Sequence, residues 1–325
     1  MIIEQRRQRN RRKNYLFFLL FGVMVALVLI FRRQPQTLPG PVPQNTGAVI
    51  SLATRSAKLS FVPEIPSSPG LVTAVSQTLT GTRGTYGLVV KNFKTGEAFF
   101  QNDHQVFEPA SVYKLWIMAV VVNQIQAGKL HEDDQLSAEV ADLNREFFIS
   151  DTDAEQTSGT VSHSVNDALT QMITVSDNYS ALLLTHRVGL PAVDAFLKDN
   201  GFVQSKIGVN GQAPTTTPAD IALFLEKLYR GQLANPEFTE KMLTLLKQQR
   251  LNDDLPKYLP DKVAVAHKTG AMEPFVHDAG IVYTDFGDYL IVVFSETDSR
   301  PAAEERIALV SQAVYQYFSG QNATP

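Results

Sequence analysis

The spacing of hydrophobic and polar positions changes character several times along the chain, and each change predicts an element. TYGLVVKN (85–92) and EAFFQN (97–102) are apolar-rich β-type runs separated by the turn segment Phe93-Lys94-Thr95-Gly96, which predicts a hairpin. SVYKLWIMAVVVNQIQAG (111–128) is apolar on nearly every side and stops at Gly128, so it predicts a long helix buried all round. VNDALTQMITVSD, NYSALLLTHRVG and PAVDAFLKDNG continue as shorter helical patterns. Thr217-Pro218-Ala219-Asp220 then places a cap, a first-turn Pro and an N3 acid ahead of IALFLEKLYRG. Strand-type runs return at 263–270, 277–285 and 288–296, and the apolar positions of 301–320 are again at helical spacing.

This order predicts a mixed α/β (α+β) architecture. An antiparallel sheet is completed by both ends of the domain and flanked by helices, with an all-helical lobe inserted between them. The cleft between the lobes is the expected place for a site.

Upstream, the uncharged run YLFFLLFGVMVALVLIF (15–31) is long enough for about 25 Å of helix, the short end of a bilayer span. Six basic residues (Arg6, Arg7, Arg9, Arg11, Arg12, Lys13) precede it, and Arg32 and Arg33 follow. That asymmetry predicts a cytoplasmic 1–14 segment, a transmembrane anchor at 15–31 and everything later outside the membrane. A cleaved signal peptide is the other reading, and it too exports the rest. Residues 32–70 hold seven of the chain's 17 prolines and suit a semi-rigid tether, with the folded domain expected over 71–325.

Composition narrows the chemistry. The 29 basic and 33 acidic side chains leave a net charge of −4, which offers no electrostatic footprint for nucleic acid. The absence of cysteine removes disulfides, thiolate metal sites and a thiol nucleophile. The six histidines (104, 131, 163, 186, 267, 277) form neither H-E-x-x-H nor H-x-H, and no G-x-S-x-G or phosphate loop is present. No metal or cofactor is expected, and covalent chemistry falls to Ser, Thr, Lys or a carboxylate.

Three short motifs remain. Ser111-Val112-Tyr113-Lys114 opens the long apolar helix, where a spacing of three brings Lys114 within reach of the Ser111 hydroxyl. A buried amine of lowered pKa can take that hydroxyl's proton, and the helix start leaves N–H groups free for an oxyanion. Ser176-Asp177-Asn178 lies between two helical patterns: the hydroxyl of Ser176 suits proton relay to a leaving amine, Asn178 a substrate amide carbonyl, and Asp177 bracing of the loop. Lys268-Thr269-Gly270 ends a strand, offering a cation for a carboxylate and the Ala271 N–H as a second oxyanion donor. Lys94-Thr95-Gly96 repeats those letters but falls in the hairpin turn.

The ordered triplet S-x-x-K, S-D-N, K-T-G is the signature of penicillin-recognising serine acyl enzymes. Residues 71–318 resemble the class A β-lactamase family more widely, through FEPASVYK, MITVSDNYSALLL, PTTTPADIALFLEKLYRGQL, HKTGAME and the closing helix. The resemblance implies a β-lactamase/transpeptidase-like fold, Ser111 as nucleophile, Lys114 as its activating partner and Ser176 as relay. It also implies Asn178 as substrate and lysine anchor, Lys268 and Thr269 as carboxylate recognisers, and the Ser111 and Ala271 amides as oxyanion hole. Glu273 sits where many relatives have a rim Glu and is given no catalytic role.

One departure stands out. Class A enzymes carry a loop Glu that activates the deacylating water, whereas 200–219 reads NGFVQSKIGVNGQAPTTTPA, without an acid. Asn210 or Gln212 can position a water but cannot accept its proton. The expectation is a membrane-anchored monomer that acylates Ser111 with β-lactams and deacylates slowly. Two alternatives remain open: a D-Ala-D-Ala peptidase of the cell wall, and a penicillin-binding sensor that stays acylated.

Overall fold

The computed structural model describes residues 68–320. The expected cytoplasmic segment, the anchor at 15–31 and all but the end of the tether lie outside the described residues. No helix among the described residues is long and apolar enough to cross a membrane.

Helix α1 (Pro69–Leu79) packs its buried Leu71 and Val75 beside the closing helix α9 (Arg300–Phe318). Between them, strands β1 (Thr85–Asn92) and β2 (Ala98–Gln101) form the predicted hairpin. Its turn is built by Asn92, whose Oδ1 accepts from the N–H of Lys94 and of Thr95, with Gly96 at φ 77°. The Lys94-Thr95-Gly96 copy is therefore turn chemistry, as its position predicts.

The three late runs become β5 (Val265–Met272), β6 (Phe275–Val282) and β7 (Tyr289–Glu296), and the sheet order is β2-β1-β7-β6-β5 with every pair antiparallel. The sheet is thus completed by both ends of the domain. Its central strands read as nearly continuous buried runs because both faces are covered. One face packs under α1 and α9; the other packs against the cluster built around Trp116.

The inserted lobe contains α2 (Lys114–Gln126), α3 (Val140–Glu146), α4 (Val165–Thr174), α5 (Asn178–Val188), α6 (Leu190–Asp199), α7 (Pro218–Tyr229) and α8 (Pro236–Lys247). Every residue of α2 from Lys114 to Val122 is buried, in keeping with its all-round apolar pattern, and Trp116 and Met118 are core. Thr217 caps α7 as expected, its hydroxyl accepting from Asp220 N–H.

The lobe is not all-helical. β3 (Gln135–Glu139) pairs with β4 (Thr160–Ser164) in a two-stranded ribbon. Each strand has five residues, and only Leu136 and Val161 are buried, so the alternation is too brief and too polar to register as a strand pattern.

Candidate active site

The nucleophile candidate sits on a tight turn rather than on the long helix itself. A 3₁₀ turn (Ala110–Tyr113) carries Ser111 and runs directly into α2, so Lys114 is the first residue of the α-helix. In 3₁₀ geometry residues three apart eclipse, which keeps Ser111 and Lys114 on one side. Ala110 is held at φ 44° and Ser176 at φ 60°, both in the left-handed region that side chains avoid. Such positions cost of order 1–3 kcal/mol each and persist only where the surroundings enforce them. Here they lie immediately before Ser111 and at the head of the S-D-N tripeptide.

Lys114 is fully buried, and its ammonium spans from one lobe wall to the other tripeptide. It donates to the Ser176 carbonyl at 2.6 Å, to Asn178 Oδ1 at 2.7 Å and more weakly to Ser176 Oγ at 3.3 Å. No hydrogen bond joins it to Ser111 Oγ among the described residues, contrary to the expectation from the spacing. The physical reason is occupancy: an ammonium has three donors, and the S-D-N segment takes them. Burial pulls its pKa down to about 8, against the opposing charges of Asp177 and Glu155.

Lys268 is equally enclosed and donates to Ser176 Oγ at 3.0 Å and to the Thr269 carbonyl at 2.8 Å. Burial, joined by the charge of Lys114, lowers its pKa to about 7, while Asp278 works the other way. Ser176 Oγ therefore accepts from two lysines at once, which leaves its own proton free to be donated elsewhere. Asp177 braces this turn, accepting from Ser180 N–H at 2.6 Å as the cap of α5.

Ser111, Ser176, Asn178, Thr269 and Ala271 line one cleft of about 220 Å³, together with Leu251, Asp253, Asp254, Arg300 and Glu304. The expected residues are thus brought together, with Lys114 and Lys268 buried just beneath. Strand β5 reaches Ser111 only because Gly270 has no side chain: a Cβ there would lie 2.8 Å from the Pro109 carbonyl and 3.1 Å from Ser111 N. His277 on the neighbouring strand holds the same turn from behind, its Nε2 2.8 Å from the Glu108 carbonyl. Behind β5, His267 Nδ1 lies 2.9 Å from Asp278, which also accepts from Leu255 N–H.

Sequence reasoning missed two parts of this surface. Asp254 is buried in the cleft wall with Oδ1 lacking a hydrogen-bond partner; burial, then Asp278 and Glu304, push its carboxyl well above the usual carboxylate range. Glu155, in the segment between α3 and β4, accepts from Asn178 Nδ2 at 2.7 Å. Neither carries a local motif, since both reach the site only through long-range folding.

The segment without an acid folds into a closed loop. Residues 206–215 are pinched off by paired backbone hydrogen bonds between Lys206 and Thr215, and Phe107 pairs with Thr216 in the same way. Asp220 ties the loop down from α7, accepting from Gln204 N–H and from the Ser205 hydroxyl. Asp194 and Asp199 belong to α6, as expected.

A family model described as the beta-lactamase enzyme family matches residues 70–318. The chain belongs to that family. It is a class A β-lactamase-like serine hydrolase, and it lacks the family's usual deacylation Glu. The extended-spectrum beta-lactamase PER-1 of Pseudomonas aeruginosa is 24% identical over 271 residues, covering 77% of this chain and 88% of that protein. A beta-lactamase structure from Sphaerobacter thermophilus aligns with a TM-score of 0.68 at 26% identity, over 79% of this chain and 98% of that one. PBP-A aligns with a TM-score of 0.68 at 24% identity, over 79% and 99%. A mutant of PBP-A solved as an acyl-enzyme complex with penicillin G aligns with a TM-score of 0.69 at 24% identity, over 80% and 100%.

Proposed function

We propose that this β-lactamase family member is tethered to the membrane through residues 15–31, with its N-terminus cytoplasmic and its catalytic domain outside. There Ser111 is acylated by β-lactams and the acyl enzyme is released slowly. The observation that carries the catalytic reading is the Ser176 hydroxyl bracketed by Lys114 and Lys268, in the cleft that also holds Ser111.

The substrate's carboxylate pairs with Lys268 and Thr269, and its side-chain amide carbonyl accepts from Asn178 Nδ2. Lys114, neutral in part because its pKa is lowered to about 8, takes the proton as Ser111 Oγ attacks the lactam carbonyl carbon. The N–H groups of Ser111 and Ala271 receive the oxyanion. Ser176 Oγ gives its proton to the lactam nitrogen as the C–N bond breaks, and a lysine ammonium beside it restores that proton. Hydrolysis of the ester then needs a water and a base. The loop 200–217 supplies no carboxylate, and loss of a positioned base slows its step about 10²–10⁴-fold.

The missing loop acid also favours a second reading, in which the physiological substrate is a D-Ala-D-Ala peptide of the cell wall. Time-resolved intact-mass measurement on the full chain separates the outcomes. Benzylpenicillin should add its full mass to Ser111 within the first time points and leave over hours. Loss within seconds overturns slow release, and absence of any adduct on folded protein overturns the acyl-enzyme reading. Permanent acylation favours the sensor, and release of D-alanine from a stem-peptide mimic favours the peptidase.

A further inference from the structure

The cleft that holds Ser111 has an acidic wall that the acylation chemistry does not use. Asp253 and Asp254, in the segment between α8 and β5, line it together with Glu304 on α9, and Arg300 is the one cation among the lining residues. That arginine is already committed: its Nε donates to Glu304 Oε1 at 2.6 Å, within its own helix. Asp254 is left over. It is 7% exposed, and its Oδ1 has no hydrogen-bond partner among the described residues. An orphaned oxygen on a buried acid is costly unless something else meets it. Its neighbours nevertheless fix it there. Lys257 N–H donates to the Asp254 carbonyl at 3.2 Å, Leu255 N–H donates to Asp278 Oδ2 at 3.1 Å, and the Leu255 side chain is fully buried. Asp278 stands opposite Thr269 in the β5–β6 register, so Asp254 is held beside the strand that carries Lys268 and Thr269.

We propose that this wall is a cation subsite, and that the enzyme prefers acyl donors whose leaving half carries a positive charge next to its carboxylate. The inference deepens the acyl-enzyme reading above and rests on it: with the carboxylate on Lys268 and Thr269, a substituent on the neighbouring carbon lies along the wall of Asp254 and Glu304. Three carboxyls against one arginine disfavour a donor that brings only its own carboxylate. A cation beside that carboxylate cancels the repulsion and meets the acid that lacks a partner. Asp254 is also the group that makes the preference depend on pH. Burial, then the charges of Asp278 and Glu304, raise its pKa; Arg300 opposes them and Asp253 adds to them. Asp278 is itself met by His267, at 2.9 Å. A bound cation favours the ionised carboxylate, so the preference grows as pH rises through that raised value.

The test compares cephaloridine with cephalothin on the full-length wild-type, Asp254→Asn and Arg300→Gln proteins, each checked for folding by thermal melt. The two cephalosporins share their acyl half and their carboxylate. They differ on the carbon beside the carboxylate-bearing one, which carries a permanently charged pyridinium-methyl group in cephaloridine and a neutral acetoxymethyl group in cephalothin. Acylation efficiency, the rate constant over the dissociation constant, is measured for each compound from pH 6 to pH 9. The ratio of the two efficiencies cancels the titration of Lys114 and Lys268, which act on both compounds alike. In the wild type the cephaloridine-to-cephalothin ratio is expected to rise about two- to fivefold across that range, the scale of one ion pair in a half-open cleft. Asp254→Asn holds the ratio at its low-pH value throughout, and Arg300→Gln, which removes the competing cation, raises it. A wild-type ratio that does not change with pH overturns the proposal without any variant, as does a ratio that still climbs in Asp254→Asn or one that falls in Arg300→Gln. If neither compound acylates the folded wild-type protein, the acyl-enzyme reading falls and this inference with it; acylation by both with a flat ratio overturns this inference alone.

Discussion

Gly270 packs directly on the backbone of Ser111, with room for a hydrogen and none for a methyl: an added Cβ would lie 3.1 Å from Ser111 N and 2.8 Å from the Pro109 carbonyl. The glycine of the K-T-G motif is thus a distance-setter. It lets the strand bearing Lys268, Thr269 and Ala271 approach the turn bearing Ser111.

Gly270→Ala should therefore part the two halves of the site. Both contacts are to backbone, which yields less readily than a side-chain end. Overpacking of this kind costs about 1–3 kcal/mol of stability. A shift near 1 Å between reacting groups costs about 10²-fold in rate, so acylation by benzylpenicillin should fall by that order while the protein still folds. Wild-type acylation kinetics in Gly270→Ala would show that strand proximity does not matter.

How far the site was readable in advance follows from where its contacts lie. The five strands of the main sheet and the buried helix after Ser111 are visible as hydrophobic runs, because burial on both faces writes itself locally. The S-x-x-K spacing correctly placed Lys114 beside the turn, yet its hydrogen-bond partners lie 62 and 64 residues further on. Sequence spacing reports which residues share a face and says nothing about which distant acceptor wins the ammonium. Glu155 was invisible for the same reason: it stands in a polar stretch without periodicity, and only the Gln156 clamp on Tyr179 brings it to Asn178. The β3–β4 ribbon was hidden by brevity rather than distance.

The two buried lysines predict a narrow pH optimum for acylation. In the proposed mechanism Lys114 can take the Ser111 proton only when neutral, so the rate should climb as pH rises toward about 8. In the same mechanism Lys268 can pair with the substrate carboxylate only when protonated, so binding should decline as pH rises above about 7 in the free site. Because the lysines share one hydroxyl, the two limbs belong to the pair rather than to either residue. A penicillin methyl ester, which presents no carboxylate, should keep the rising limb and lose the falling one, at a lower overall rate. Identical profiles for acid and ester, measured as acylation rate over substrate dissociation constant, would remove Lys268 from carboxylate binding.

Asp254 gives a stability prediction with the opposite pH sense. Its folded pKa is raised, so in the window between the ordinary carboxylate value and that raised value the folded state holds a proton that the unfolded state has released. Stability therefore drops as pH rises through that window. Asp254→Asn imitates the protonated form and should melt at the same temperature as wild type in mild acid but higher at pH 8.5. Each kcal/mol is worth about 2–4 °C for a domain of this size. Equal melting temperatures at both pH values would mean that the carboxyl is charged and solvated throughout.

His277 should make the nucleophile turn acid-labile. The ring is fully buried, stacked on Phe294 with centroids 4.0 Å apart, and its two nitrogens are committed to one tautomer. Nε2–H donates to the Glu108 carbonyl, and the Nδ1 lone pair accepts from Ser295 N–H at 3.1 Å. A second proton would have to sit on Nδ1, facing that N–H donor. Burial accordingly lowers the pKa to about 4, with the backbone contacts at Glu108 and Val276 opposing. Between the ordinary histidine value and about 4, the unfolded chain binds a proton that the folded one refuses. Stability then falls with decreasing pH by at most about 1.4 kcal/mol per pH unit from this ring alone. His277→Gln retains a donor and an acceptor but cannot titrate. Urea unfolding at pH 7 and pH 5 should show a smaller acid loss in His277→Gln than in wild type, and the difference between the two proteins isolates the ring from the carboxylates common to both. Parallel losses would mean that the histidine is protonated in place and that the hold on Glu108 survives acid.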